Sequence, residues 1–245
     1  MSQIVDTESA REFMKEVSEQ IAPDELKAIC ENLETKSRFF QSRLGPAVIG
    51  QLNGPEIHRL LRSVFATRRK AAQIVDQFSA ERLQTWMAEL MYGEQAIQHR
   101  FQQFFDRLEG LEEACRYDLA GELLHYTFPE RYWLWNRWMW DPRVNTGALP
   151  LLTTEDFRLE APSIGEGYLN VGRAIAFVHE VGDAAGFQRI ERSLFGTTVF
   201  LCSVYAVYSY TVLRMRMTQE FNKVVPGLPE FSRRLLGVNR MEELI

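Results

Sequence analysis

Between Thr7 and about Tyr126 the apolar positions recur every three or four residues almost without interruption, the spacing that lines one side of an α-helix. Three turn signals divide the run, Ala22-Pro23-Asp24, Leu44-Gly45-Pro46 and Asn53-Gly54-Pro55, each placing proline at or just before a helix start. The clearest pattern lies over residues 56–78, where Leu60, Leu61, Val64, Ala71, Ile74, Val75 and Phe78 predict one amphipathic helix. Gly93 and Gly110 separate three further helices at 80–92, 94–108 and 111–126. Thr127-Phe128-Pro129-Glu130 reads as a capping box opening a helix over 128–140, closed by Asp141-Pro142.

A looser stretch follows at 141–162. Residues 147–152 (GALPLL) and 156–160 (DFRLE) leave a loop or one short β-hairpin about Thr153-Thr154-Glu155 open. Ser163 with Glu166 makes a second capping box before a helix to about Ala185. Residues 193–213 carry no charge and are long enough to span a bilayer. Tyr205 and Tyr208 fall in the middle of that run, which favours a helix buried at the centre of a bundle over a membrane anchor. A basic tail over 214–240 completes the pattern. No repeat, low-complexity tract or linker interrupts it, so the expected fold is one mainly α domain over 1–245, a helical bundle around a buried apolar helix.

The composition is that of a globular protein: 245 residues, 46% hydrophobic and 25% charged. A net charge of −5 argues against a nucleic-acid-coated surface but leaves local basic patches open. Cys30, Cys115 and Cys202 are widely separated and form no C-x-x-C pair, as expected of reduced thiols in a cytoplasmic protein. The first twenty residues are charged throughout and lack the apolar core of a secretory signal.

Four of the five tryptophans lie between Trp133 and Trp140. On a helix, Trp133, Arg137 and Trp140 would form one stripe, with Arg131, Trp135 and Trp138 nearly opposite. Both faces would then need cover, from the domain itself, a partner protein or a ligand, with arginine laid on indole as one means of packing. Arg68 falls at the centre of the apolar arc of the 56–78 helix, where a guanidinium needs a carboxylate, an anionic ligand or a route to the surface. Arg59, Arg62, Arg69 and Lys70 gather on the polar side as a basic patch. Glu122-x-x-His125 has the spacing of half a di-iron carboxylate site, but no second such pair accompanies it, and a hydrogen-bonded structural histidine is expected. Gly165-x-Gly167 with Gly172 lacks the spacing and the βαβ context of a dinucleotide site, and no P-loop or nucleophile elbow occurs.

Two resemblances attach to the aromatic segment. LLHYTFPERYWLWNR resembles the helix-turn-helix piece of helical modules in nuclease-associated and base-excision-like bacterial proteins, although the lysine and aspartate of such glycosylases have no counterpart. ELLHYTFPERYWLWNRWMWDP with RMRMTQEFNKVVPGLP resembles the small helical accessory subunits of multi-subunit 2-oxoacid:ferredoxin oxidoreductases. The latter implies thiamine and Fe–S chemistry on other subunits, with no defining functional residue matched here. The leading expectation is a non-catalytic accessory or interaction subunit of a larger cytoplasmic enzyme complex or a homo-oligomer, without cofactor, metal or activity of its own. Its contacts would be Arg131, Trp133, Trp135, Arg137, Trp138, Trp140 and Arg68, with the basic tail. The alternatives are a nucleic-acid-binding module using Arg59, Arg62, Arg69 and Lys70, an enzyme or carrier holding a planar or acidic ligand between the Trp helix and Arg68, and a protein anchored by 193–213.

Overall fold

Capping chemistry sets several of the helix starts. Asp6 accepts from the Glu8 and Ser9 backbone amides to open α1 (Thr7–Gln20), and Pro23 opens α2 (Pro23–Leu44). Asn53 and Glu56 form a reciprocal capping box at the start of α3 (Gly54–Ser63). Next come α4 (Ala71–Phe78), α5 (Ala80–Tyr92), α6 (Ile97–Arg107) and α7 (Glu113–Thr127). Ser163 caps α8 (Ile164–Glu180), followed by α9 (Gly182–Ala185), α10 (Leu194–Arg216) and α11 (Leu228–Leu235). The computed structural model describes residues 4–186, 194–216 and 226–240. Ser193 of the expected apolar helix and residues 217–225 of the expected basic tail lie outside the described residues.

The fold is mainly α, and two helices form its interior. Every residue of α7 from Ala114 to Thr127 is buried except Arg116, with α2, α5 and α6 packed around it. The apolar α10 lies against α1, α2, α8 and α11; its Leu194–Val212 stretch is long and apolar enough to cross a membrane, and 67% of it is buried within the chain.

The single helix expected over 56–78 is interrupted between Ser63 and Ala71, and the cause is local. Ser63 Oγ donates to the Leu60 carbonyl at 2.6 Å and Thr67 Oγ1 to the Leu61 carbonyl at 2.7 Å, taking up acceptors that a continuing helix would use. Val64 turns to extended geometry and a tight loop, 64–70, leads into α4.

No helix forms over 128–140. Phe128 precedes Pro129 and leaves the α region, which ends α7 at Thr127. Buried side chains then take the backbone polar groups that a helix would pair internally. The Arg137 amide donates to Asp118, the Tyr132 carbonyl faces His125 Nδ1, and the Trp133 carbonyl accepts from the Tyr168 hydroxyl. The Trp135 indole N–H closes a turn onto the Trp140 carbonyl. Gly121 makes this path possible: a Cβ there would stand 2.1 Å from the Trp135 carbonyl oxygen. Trp135 is fully buried, its ring stacked with Tyr117 at 4.8 Å and with Phe101 and Trp140 at 5.7 Å.

The hairpin is also absent. Leu149–Leu151 is a short 3-10 turn, and the Thr153 segment bonds to the chain's beginning: Asp6 N–H donates to the Leu152 carbonyl and Thr154 N–H to the Ile4 carbonyl. Among the described residues only isolated bridges occur, and no strand.

Candidate functional site

Cys115, Asp118, Glu122 and His125 follow one another on α7 at spacings of three and four, forming a polar stripe on a buried helix. Each needs a partner to offset the loss of water. Asp118 accepts from the backbone N–H and the Nε–H of Arg137, both at 2.7 Å. Glu122 meets Lys36 Nζ at 2.6 Å, and the Phe65 backbone amide and Asn136 side chain also face its carboxylate. Lys36 donates further to the Leu236 carbonyl at 2.9 Å and sits 4.4 Å above the Tyr126 ring. The Cys115 thiol donates to the Ala66 carbonyl at 3.4 Å. His125 Nδ1 lies 2.9 Å from the Tyr132 carbonyl, which fixes the proton on that nitrogen, and Nε2 lies 3.4 Å from Thr198 Oγ1. The stripe therefore ties the 64–70 loop, the 132–137 segment and the end of α11 to one helix.

Those same segments enclose a cleft of about 830 Å³. Arg68, Arg69 and Lys70 reach it from the loop and Arg62 from the last turn of α3; Arg137 forms another part of the wall, and Arg234 and Arg240 close the α11 side. Among the described residues, seven cationic side chains thus face two carboxylates, Glu112 and Glu230. Lys70 and Glu112 are the N-caps of α4 and α7, so the positive ends of two helix dipoles meet at the same wall. Glu112 bridges the cations, reaching Lys70 and Arg137 at 3.4 Å and Arg143 at 3.7 Å. Partial burial would raise its carboxyl, but Arg137, Lys70 and Arg143 outweigh that and hold it below the ordinary range. Phe65, 46% exposed, presents its ring in the cleft.

Burial pushes Asp118 up to about 7, with Arg137 opposing the shift, and holds His125 down to about 4. The effects on stability have opposite signs. Asp118's contribution is complete below its unfolded value of 3.8 and is lost as pH rises toward 7. His125's contribution is present above its unfolded value of 6.5 and is lost as pH falls toward 4. As pH rises from 4 to 6.5, the stability of Asp118→Asn relative to the native chain should increase and that of His125→Gln should decrease, each by about 1–4 kcal/mol. Urea melts at several pH values would show parallel profiles if neither group titrates in this way.

The aromatic contacts expected from sequence do not come together as a surface. Trp135, Trp138 and Trp140 are buried within the chain, and Trp133 is half-buried beside the His179 ring. Arg131 is exposed and lies over Tyr132 at 5.2 Å, not over an indole. Trp135 and Trp140 border a second hollow of about 440 Å³ near Ile164, but with 0% and 2% exposure they offer it almost no surface. Arg68, expected to face the core from a helix, lies in the loop, bonds to Asn239 Oδ1 at 3.3 Å and lines the cleft. Of the expected basic patch, Arg62, Arg69 and Lys70 join Arg68 there, while Arg59 is exposed outside it. Sequence reasoning missed Phe65, Glu112, Lys36 and Asp118. The available signal was the stripe itself: acids on a helix that is apolar on its other faces. No family model, no curated protein and no solved structure matches the chain.

Proposed function

We propose that this protein binds a phosphate-bearing anion in the basic cleft. The supporting observation is the convergence, among the described residues, of seven cationic side chains on one cleft in a chain whose net charge is −5. Arginine suits such a ligand because its planar fork matches phosphate oxygens in pairs, and six of the seven cations are arginines. Pinning of the loop backbone from beneath lowers the ordering cost of binding. The accessory-subunit expectation drew on a helix with tryptophans on two faces; without that helix, and with Trp135, Trp138 and Trp140 enclosed, the cleft is the better-supported surface.

Calorimetry with inorganic tripolyphosphate tests the proposal. Saturable one-to-one binding that weakens with added salt is expected. The charge reversal Arg69→Glu with Lys70→Glu should reduce affinity about tenfold or more, from the loss of charge-assisted hydrogen bonds. Arg59→Glu, outside the cleft, should leave it unchanged. Equal weakening by Arg59→Glu, or no binding at low salt, would remove the proposal.

A further inference from the structure

Resting on that proposal, we infer that the anion is a mononucleotide whose base stacks on Phe65 while its phosphates engage Arg68, Arg69 and Lys70. Among the described residues, the other large apolar side chains with substantial exposure, Val48, Tyr92, Val144 and Leu169, lie outside the cleft, and only Phe65 presents its ring within it. The ring is not exposed through looseness of its backbone. The Phe65 amide faces Glu122, Ala66 accepts from Cys115, and Thr67 is buried and bonded to Leu61. Gly237, at φ +70°, packs so closely that a Cβ there would stand 3.0 Å from the Ser63 carbonyl and 3.5 Å from the Phe65 nitrogen. A fixed backbone therefore holds an apolar ring within a cationic wall.

Among the described lining residues the remaining apolar surface is that of Ala66, since Cys115 is 1% exposed, so the apolar surface suits one planar base and not a lipid chain. Aromatic stacking beside a cationic track is the general means of holding a base together with its phosphates. Asn239, whose Oδ1 accepts from Arg68, keeps its amide donors for a base edge. The cleft volume falls within the range of small-ligand sites, about 300–1,000 Å³, which favours a free nucleotide over a continuous strand.

The test compares the four ribonucleoside triphosphates, inorganic tripolyphosphate and a single-stranded oligonucleotide on the full chain and on Phe65→Ala and Phe65→Trp. At least one triphosphate should bind about five- to a hundredfold more tightly than tripolyphosphate. Phe65→Ala should abolish that preference by bringing the triphosphate affinity down to that of tripolyphosphate, while Phe65→Trp keeps it and reports stacking as quenched indole fluorescence. Tripolyphosphate binding as tightly as every nucleoside triphosphate would overturn the inference while the cleft proposal stands. So would equal loss of both ligands in Phe65→Ala. Oligonucleotide affinity above that of the mononucleotides and rising with length would overturn it in favour of a strand. Failure of every probe to bind would remove the cleft proposal as well.

Discussion

Lys36→Met should destabilise the protein by about 3–5 kcal/mol, the usual cost of stranding one partner of a buried ion pair. Lys36 is 0% exposed and Glu122 1%, so water cannot replace the lost contact. Burial alone pushes the lysine down and the carboxyl up, toward their neutral forms, while the 2.6 Å contact opposes both shifts. Removing the lysine leaves the carboxylate, among the described residues, to the Phe65 amide and Asn136, and leaves the Leu236 carbonyl without its bond to Lys36. Adding Glu122→Leu should restore most of the stability, because an apolar pair of similar size avoids the stranded charge. It should not restore tripolyphosphate binding, since the Phe65 amide loses the carboxylate it faces and the loop loosens. Urea melts and calorimetry on both variants separate these two roles. A single variant within about 1 kcal/mol of the native chain would show that the pair is not the anchor.

Gly121→Ala should lower stability by about 3 kcal/mol or more, at the upper end of overpacking costs. The sign is informative, because glycine to alanine in a helix interior ordinarily gains about 1 kcal/mol. Here the added methyl would stand 2.1 Å from the Trp135 carbonyl oxygen and 3.0 Å from its backbone carbon and nitrogen. No rotamer change relieves a collision with backbone. For a chain of this length the loss corresponds to a fall in Tm of roughly 6–12 °C. An unchanged or raised Tm would mean that the tryptophan segment does not cross α7 at this point.

Much of the helical framework could be read from local signals. The cap at Ser163, the prolines near helix starts and the uncharged run that becomes α10 each act within a few residues. The two broken helices fail for a different reason. The apolar spacing of Leu60, Leu61, Val64 and Ala71 continues across the 64–70 loop because the loop also buries Val64 and Thr67, so periodicity cannot register the break. The 128–140 segment gives up helical pairing to groups on other elements, such as Asp118 and Tyr168, and only the third dimension supplies those. The cleft was half visible. Arg62, Arg69 and Lys70 are neighbours in sequence, whereas Arg137, Arg234 and Arg240 arrive through long-range folding around the α7 stripe.

The most direct test of phosphate recognition is a titration of tripolyphosphate into isotopically labelled protein, followed through the backbone amide resonances. Saturable shifts should concentrate at Phe65 to Lys70, Glu112 to Cys115 and Arg137, and disappear in the Arg69→Glu/Lys70→Glu variant. A flat titration at low salt, or shifts gathered around Arg59 and absent from the 64–70 loop, would refute a binding role for the cleft.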